Sequence, residues 1–538
     1  MISPDLPCLL SLENALTALK DSDNLISYSS NTADAIHDLE MKKIDTDSRN
    51  SDEKSIFIAI RGSKSDGHDF IFDTYKRGTR IFIVENDITP LSRNRDDMIV
   101  LTVQSTRLAW SILCSYAYGN PQEKLHLIGV TGTNGKTSVV WMIHQLLSTH
   151  NIPSMAIGTL GIFIKSEHYE NSHTTPDPDK LFYALHLAVL RGIKYVSMEV
   201  SSHSLVQEKI GCIKFSTAIF TSFSRDHLDF HKNLDEYFSS KMRLFKNHVS
   251  NEGRFIVSTT LEKRLASFPK NRRRIFYGLT SPELLLEDDL FSAISIQENS
   301  LKCTKFNFQL QKHGKVIISS DFEAPYYSQH AIENFTASLL AFYEITRKIP
   351  SHDSIKKLTS VPGRLEIVKI LDEHPEQPNC IVDYAHTPDA LEKTIRILHI
   401  LSNRKLILVF GCGGNRDKGK RKLMGKIAAE ACDHVFITSD NPRTEDPLAI
   451  INDIYQGVPE NLRSKVILEE DREIAINRSI EMAAQSCPPM NVLIAGKGHE
   501  TVQLVGDRKL FFSDQIHARE ALKRLKLTEY VTEHSVSS

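Results

Sequence analysis

The segment Gly132-Thr133-Asn134-Gly135-Lys136-Thr137-Ser138 combines the residue types that hold a nucleoside triphosphate. Its two glycines keep the backbone free of Cβ atoms where phosphate oxygens must approach. The N–H groups of the turn and of the following helix face those oxygens. Lys136 adds a mobile positive charge, and the Thr137 hydroxyl is suited to Mg²⁺. The spacing is G-x-x-G-K-T rather than the longer G-x-x-x-x-G-K-[ST], because Val130 stands where the first glycine would be. ATP or a close relative is the expected ligand.

Other groups of chemical interest follow apolar runs. Glu199 lies in MEVSSHSL and His227 in TSFSRDHLDFH. One carboxylate and one imidazole beyond the carboxyl ends of two strands suit a divalent ion bridging a phosphate and an acceptor. Asp226 and Asp229 read instead as N-cap residues opening a helix. Thr174-Thr175-Pro176-Asp177-Pro178 reads as a rigid helix N-terminus, and Arg364 either clamps a phosphate or pairs with a surface acid. Asp383-Tyr384-Ala385-His386, Gly411–Arg421 (GCGGNRDKGKR), Asp440-Asn441-Pro442-Arg443 and Gly496–Glu500 (GKGHE) again follow strand candidates. The second of these gathers glycines, Arg416 and Lys418–Arg421 into a loop suited to an anion. Ser48, Arg49, Asp66, Gly67 and His68 fall on loops beside strands, where turn formation and solvated charge are the default reading.

The elements that must position these groups follow from periodicity. Leu127–Val130 reads as a buried strand, and Val139, Val140, Ile143, Leu146 and Leu147 mark one face of the helix after it. Strands are predicted at Ser55–Ile60, Arg80–Glu85, Lys194–Val200, Thr217–Thr221 and Arg254–Val257. Leu284–Glu323 carries short-period β-like runs, read as a small antiparallel excursion, and a helix spans Ile332–Arg347. A second series places strands at Asn379–Asp383, Lys405–Phe410, His434–Thr438 and Asn491–Ala495. Strands alternating with helices predict an α/β fold with mostly parallel sheets. Turn formers at Gly119-Asn120-Pro121 and Lys348-Ile349-Pro350 suggest domains at 1–120, 121–348 and 349–538.

At 538 residues and a formal net charge of −2, the chain is too long for one core and too nearly neutral for a general polyanion binder. No nucleic-acid partner is expected. Its 8 cysteines form no C-x-x-C pair, which fits reduced thiols. No apolar run is long enough to span a bilayer and the N-terminus has no basic n-region, so a cytoplasmic protein without membrane insertion is expected.

Taken in order, GTNGKT, TTPDP, MEVSSHSL, DHLDFH, PGRLE, VDYAHTPDAL, GCGGNRDKGKR, DNPR and GKGHE resemble the Mur ligase family over about Asp45 to Phe512. The resemblance implies three domains: an N-terminal α/β domain for a UDP-sugar, a central P-loop-type ATPase domain, and a C-terminal Rossmann-like domain for an amino acid. It implies an ATP-dependent ligase, expected to be monomeric, that adds meso-diaminopimelate to the D-Glu γ-carboxylate of UDP-N-acetylmuramoyl-L-Ala-D-Glu through an acyl phosphate. The alternatives are the same ligase using L-lysine and a non-catalytic nucleotide-binding relative.

By the same resemblance, Gly132–Ser138, Asn334, Arg364, Asp383 and His386 would hold ATP, and Lys136, Glu199, His227 and Lys241 would be catalytic. Thr137, Glu199, His227 and Lys241 would serve Mg²⁺, the last as N6-carboxylysine. Ser48, Thr174, Thr175, Ser201, Gln207 and Lys209 would meet the UDP-muramoyl-dipeptide. Arg416, Asp440, Asn441, Arg443, Gly496 and Glu500 would receive the amino acid. The DNPR block resembles the diaminopimelate form, since Arg443 can pair a distal carboxylate that lysine lacks. The chain departs from the family pattern at Lys209 (Arg expected), Ser222 and Ala331 (Asn expected) and Asn415 (an acid expected).

Overall fold

The computed structural model describes residues 10–29, 40–62, 65–86, 95, 97–171, 173–228, 230–282, 285–368 and 377–535. The chain divides into two compact units: Met1–Ser295 with Asn307–Phe322 and Glu333–Lys357, and Ile296–Phe306 with Glu323–Ile332 and Leu358–Ser538. Three large sheets, parallel over most of their pairings, carry the α/β architecture.

The first is five-stranded, in the order Leu25–Ser29, Ile99–Val103, Ile81–Val84, Ser55–Ile58, Lys43–Asp45. All its pairs are parallel except the first. Alternation along Ser55–Ile58 sends Ile56 and Ile58 toward helices Leu12–Asp21 and Thr106–Ala117, and Phe57 to the opposite face beside Ile71 and Phe82. The predicted strands at Ser55 and Arg80 lie here. The edge strands Leu25–Ser29 and Lys43–Asp45 are short and half polar, and periodicity did not reveal them.

The second sheet is 11-stranded. Its fifth strand in spatial order, His126–Thr131, lies between Tyr195–Glu199 and Phe215–Phe220, parallel to both. Val130 pairs with Glu199 on one side and Ile219 on the other, so the loops after these three strands leave the same edge of the sheet. Within Leu284–Glu323, Leu290–Asn299 is a strand parallel to Arg273–Gly278, and Thr304–Lys312 and Lys315–Ala324 follow it in the sheet order. The expected excursion is thus part of the main sheet; Leu284 lies outside the described residues.

The third sheet is six-stranded, in the order Glu366–Val368, Asn379–Asp383, Asn491–Ala495, Leu406–Phe410, His434–Ile437, Val466–Leu468. Helices Pro388–Leu401, Gly419–Ala431 and Pro447–Tyr455 cover one face, and Arg472–Ala484 with the first turns of Asp514–Ser535 cover the other. Arg472 and Asp514, both wholly buried, pair through two hydrogen bonds of 2.8 Å and tie these last two helices together.

No helix among the described residues is long and apolar enough to cross a membrane. The seven cysteines among them are all free.

One buried histidine makes the first unit acid-sensitive. His248 follows helix Leu234–Asn247, with Nδ1 3.2 Å from the Ile213 carbonyl. Burial pushes its imidazole down to about 4 from the ordinary 6.5; the Ile213 carbonyl opposes this, and Lys214 and Arg243 add to it. The folded value lies below the unfolded one, so the unfolded chain binds the extra proton between them. The stabilisation is whole above pH 6.5 and is lost as pH falls through about 4, some ~3 kcal/mol in all. His248→Gln should flatten the acid limb of a denaturant-melting series; a limb as steep as the wild type's would refute this.

Candidate functional sites

Each unit holds one concentration of polar groups at the carboxyl edge of its parallel strands. In the first unit, strand His126–Thr131 runs into Gly132–Gly135 and helix Lys136–Thr149. Gly132 and Gly135 have φ of +149° and +89°, and a Cβ at either would overlap Thr221 Oγ1 or Asn334 Oδ1. Glycine is therefore required twice, once for conformation and once for room. Asn334, from helix Gln329–Thr346, thus lies directly against the loop.

Lys136 Nζ donates to the carbonyls of Gly132 (2.9 Å) and Thr133 (2.8 Å). Lys241 Nζ, from helix Leu234–Asn247, donates to the same Gly132 carbonyl at 2.8 Å and lies 4.5 Å from the Tyr237 ring centroid. Lys241 is 1 % exposed, and burial, with the neighbouring Lys136 charge, holds its ammonium well below the usual lysine range. Glu199 is equally buried. Its Oε2 accepts from Thr137 Oγ1 (3.0 Å) and its Oε1 from the Thr159 N–H (2.7 Å). Burial raises the Glu199 carboxyl, and Lys136 and these donors pull it back toward the ionised form.

The Thr174-Thr175 loop is joined to this cluster. Thr175 Oγ1 donates to the Glu199 carbonyl (2.9 Å) and accepts from the Ser201 N–H, while Thr174 Oγ1 is 3.1 Å from Thr159 Oγ1. Ser201 caps helix Ser202–Val206, which ends at Gln207. Lys209 Nζ pairs with Asp177 at 2.7 Å, so this ammonium already has an acid beside the loop. The His227 ring packs edge-on to His203 (5.1 Å) and Tyr237 (5.8 Å), with φ of +52°. The helix expected to open at Asp226 opens instead after Asn233, whose Oδ1 accepts from the Glu236 N–H. Asp226 Oδ1 accepts from the next N–H in the chain; Asp229 lies outside the described residues.

The donor set bears on Mg²⁺. Among the described residues no three His, Cys, Asp or Glu side chains gather into a metal-holding group. Thr137 and Glu199 offer hard oxygens beside a phosphate-type loop, and Mg²⁺ characteristically takes one or two carboxylates, phosphate oxygens and water. The residues fit that ion.

Ser48 lies on a turn after strand Lys43–Asp45, where its carbonyl accepts from Arg77 Nη1 at 2.6 Å. His68 is structural: Nδ1 bonds Asp66 (2.6 Å) and Nε2 accepts from the Glu85 N–H (3.1 Å). That pairing fixes the Nδ1–H tautomer.

In the second unit, the loops after Asn379–Asp383, Leu406–Phe410, His434–Ile437 and Asn491–Ala495 enclose a cavity of about 450 Å³. All of Arg416, Asp440, Asn441, Arg443, Gly496 and Glu500 line it, as does His386. Lys420, one of the cations read as suited to an anion, lines it too, as does Tyr384 of the Asp383–His386 segment. Arg443 adopts φ +53°, donates its N–H to the Leu504 carbonyl (2.9 Å) and places Nη1 on the Gly414 carbonyl (2.8 Å). Asn441 Nδ2 donates to Glu500 Oε2 at 2.9 Å.

Not every cation of GCGGNRDKGKR faces this cavity. Arg421 is 1 % exposed and is consumed by Glu445 and Asp453 at 2.9–3.1 Å, which corrects the reading of the whole run as an anion pocket. Helical spacing turns Lys420 outward and Arg421 into the core. Asn415, with φ +55°, accepts from the Thr444 N–H and hydroxyl, an arrangement that favours a short amide. Ser222 Oγ accepts from the Asn134 N–H and bonds its carbonyl, bracing the phosphate-type loop. Ala331 donates its N–H to Ser328 Oγ, and nothing in the structure explains its side chain.

Three residues expected at a nucleotide belong to this second unit. Asp383 is buried, raised by that burial, and accepts from the Leu365 and Ala385 N–H groups and the Thr394 hydroxyl. The Arg364 guanidinium lies 4.7 Å from the Tyr384 ring centroid, and the acid its charge acts on is the buried Asp383, which it pulls toward the ionised form. His386 Nδ1 bonds the Tyr384 carbonyl, and burial lowers its imidazole.

Comparison with known proteins agrees over both units. Residues 130–342 match the Mur ligase middle domain and residues 363–498 the Mur ligase glutamate ligase domain. The UDP-N-acetylmuramoyl-L-alanyl-D-glutamate–2,6-diaminopimelate ligase of Prochlorococcus marinus (strain NATL2A) is 34% identical over 512 residues, covering 90% of this chain and 94% of that protein. Its namesake from Coxiella burnetii is 35% identical over 489 residues, with 90% and 96% covered. A solved structure of a ligase of that name superposes with a TM-score of 0.61 at 30% identity, covering 90% of this chain and 96% of that one.

Proposed function

The chain belongs to the Mur ligase family, and from that premise we propose that it joins meso-diaminopimelate to the D-Glu γ-carboxylate of UDP-N-acetylmuramoyl-L-Ala-D-Glu at the expense of ATP. The observation that carries this reading is the cavity of the second unit, where Arg416, Lys420 and Arg443 alternate with Asp417, Asp440 and Glu500. A wall of both signs suits a ligand with two carboxylates and two ammonium groups.

In the first unit Gly132–Ser138 and Asn334 bind ATP; in the second, Arg364, Asp383 and His386 are the residues that the family resemblance assigns to the nucleotide. Thr174, Thr175, Ser201, Gln207 and Lys209 orient the muramoyl dipeptide, and Ser48 its uridine end. The γ-carboxylate attacks the γ-phosphorus of ATP. The bond to the β,γ-bridging oxygen breaks, ADP keeps that electron pair, and an acyl phosphate remains. Lys136 offsets the repulsion between carboxylate and triphosphate and the charge that develops on the transferring group. The amine of diaminopimelate, held by Asp440, Asn441, Arg443, Gly496 and Glu500, then attacks the acyl carbon. It loses a proton as phosphate departs with the C–O electron pair. Thr137, Glu199 and His227 would hold Mg²⁺, which supplies Lewis-acid neutralisation of phosphate charge when bound.

Lys241 is suited to carbamylation, because a buried amine beside Lys136 sheds its proton easily and the neutral form adds to CO₂, forming the N–C bond with release of a proton. The carboxylate so made would extend the acidic ligand set. Turnover should fall in CO₂-depleted buffer and recover with bicarbonate; a rate indifferent to bicarbonate, with an unmodified intact mass, would refute the modification.

The test of the reaction is phosphate release with UDP-N-acetylmuramoyl-L-Ala-D-Glu, Mg²⁺ and ATP, varying only the amino acid among meso-diaminopimelate, L-lysine and none. Release with diaminopimelate alone supports the reading. Release with lysine instead keeps the ligase and overturns the substrate.

A further inference from the structure

Lys497 is the one residue of GKGHE whose charge is wholly enclosed, at 0 % exposure. A lysine ammonium has three N–H bonds, and three acceptors meet this one: the Val502 carbonyl at 2.7 Å, Asn441 Oδ1 at 3.2 Å and Glu500 Oε2 at 3.3 Å. Lys497 does not line the cavity, but Asn441 and Glu500 do.

The contacts determine how those two residues are presented. Asn441 Oδ1 accepts from both Lys497 Nζ and the Leu504 N–H, so its amide cannot turn over without setting Nδ2 against two donors. Nδ2 is thereby aimed at Glu500 Oε2, at 2.9 Å. Both side-chain hydrogen bonds on Glu500 fall on Oε2, and Glu500 lines the cavity. The Val502 carbonyl opens the hairpin of strands Val502–Val505 and Arg508–Phe511. That hairpin reaches back to the same loop through Leu504 O to the Arg443 N–H and through Gln503 Nε2 to the Asp440 carbonyl. One ammonium thus joins the hairpin, the Asn441 amide and the Glu500 carboxylate.

We propose that Lys497 is the positioning residue of the amino-acid cavity, holding Glu500 and Asn441 in the orientation that receives the ligand's ammonium group without itself touching the ligand. This rests on the ligase reading above. A merely structural lysine would affect folding and every substrate together. A positioning lysine affects one substrate and acts through its partners.

The experiment compares wild type, Lys497→Met, Glu500→Gln and the double variant in the full-length enzyme, by steady-state kinetics with each substrate varied in turn. Lys497→Met should raise the KM for diaminopimelate about 10- to 100-fold, with the KM values for ATP and the muramoyl dipeptide within about twofold. The double variant should be little worse than Glu500→Gln alone, since the lysine has lost what it positions. Multiplicative effects, or equal losses for all substrates, would overturn the proposal. Should Lys497→Met not fold, Lys497→Arg retains a counterion for Glu500 but cannot repeat the three-way contact. It should show the same selective rise, and wild-type kinetics from it would overturn the proposal. A wild-type enzyme that releases no phosphate with diaminopimelate would instead refute the ligase reading, and this inference with it.

Discussion

Lys136→Ala should lower ADP release in the complete reaction by about 10²- to 10³-fold. In the structure Lys136 Nζ rests on the Gly132 and Thr133 carbonyls, the inner surface of the phosphate-type loop. Each hydrogen bond to a carbonyl there is worth about 1 kcal/mol to folding, and the ammonium stands on the loop that a triphosphate would occupy. The substitution has a second consequence. Lys136 is the principal charge pulling the buried Glu199 carboxyl toward ionisation. Without it the protonated form persists to higher pH, so the acid limb of the residual activity should move upward. ADP release at the wild-type rate would refute the assignment of Lys136, and an unmoved acid limb would refute the coupling to Glu199.

Arg443→Ala should raise the KM for meso-diaminopimelate about 100-fold and remove most of the preference over L-lysine. The guanidinium is held by its own Nη1 on the Gly414 carbonyl, and a Cβ on Gly413 would lie 2.9 Å from Nη1, so the approach to this cation is built by the glycines opposite. The backbone is held as firmly, by its N–H on Leu504 O and its carbonyl on the Gly506 N–H (2.6 Å). Arg443→Lys should not restore selectivity, because an ammonium cannot present two parallel donors to a carboxylate. Competition assays with both amino acids would decide this; an unchanged ratio of kcat/KM values would exclude Arg443 as the selector.

Much of the architecture was legible because apolar runs buried on both faces read as strands, as at Tyr195–Glu199, Phe215–Phe220, Leu406–Phe410 and Asn491–Ala495; Ile99–Val103 and Ser154–Gly158 are buried runs of the same kind that were not predicted. The glycine loop was legible because its residue types are imposed locally: positive φ at Gly132 and Gly135 and a lysine directly after them are properties of a short segment. The strands Leu25–Ser29 and Lys43–Asp45 escaped because edge strands carry half-polar patterns that loops also carry. The helix start misassigned to Asp226 shows the same limit. Several acids in a row each qualify as a cap, and packing chose Asn233.

The sequence by itself determined which loops gather polar and charged groups beyond the strands, since these are short motifs that follow strands in chain order. Only the tertiary structure decided which side chains of those loops are spent and which are presented. Arg421 and Lys420 are neighbours in one motif, yet one is enclosed by Glu445 and Asp453 and the other lines the cavity. Lys497 stands two residues from His499 and three from Glu500 in a motif that marks all of them as polar. Its three acceptors come from Asn441, Glu500 and Val502, and burial among partners distant in sequence has no local signature. The physical reason is that a buried charge is costly unless every donor is met, and that condition is satisfied by chain segments the strand order brings together.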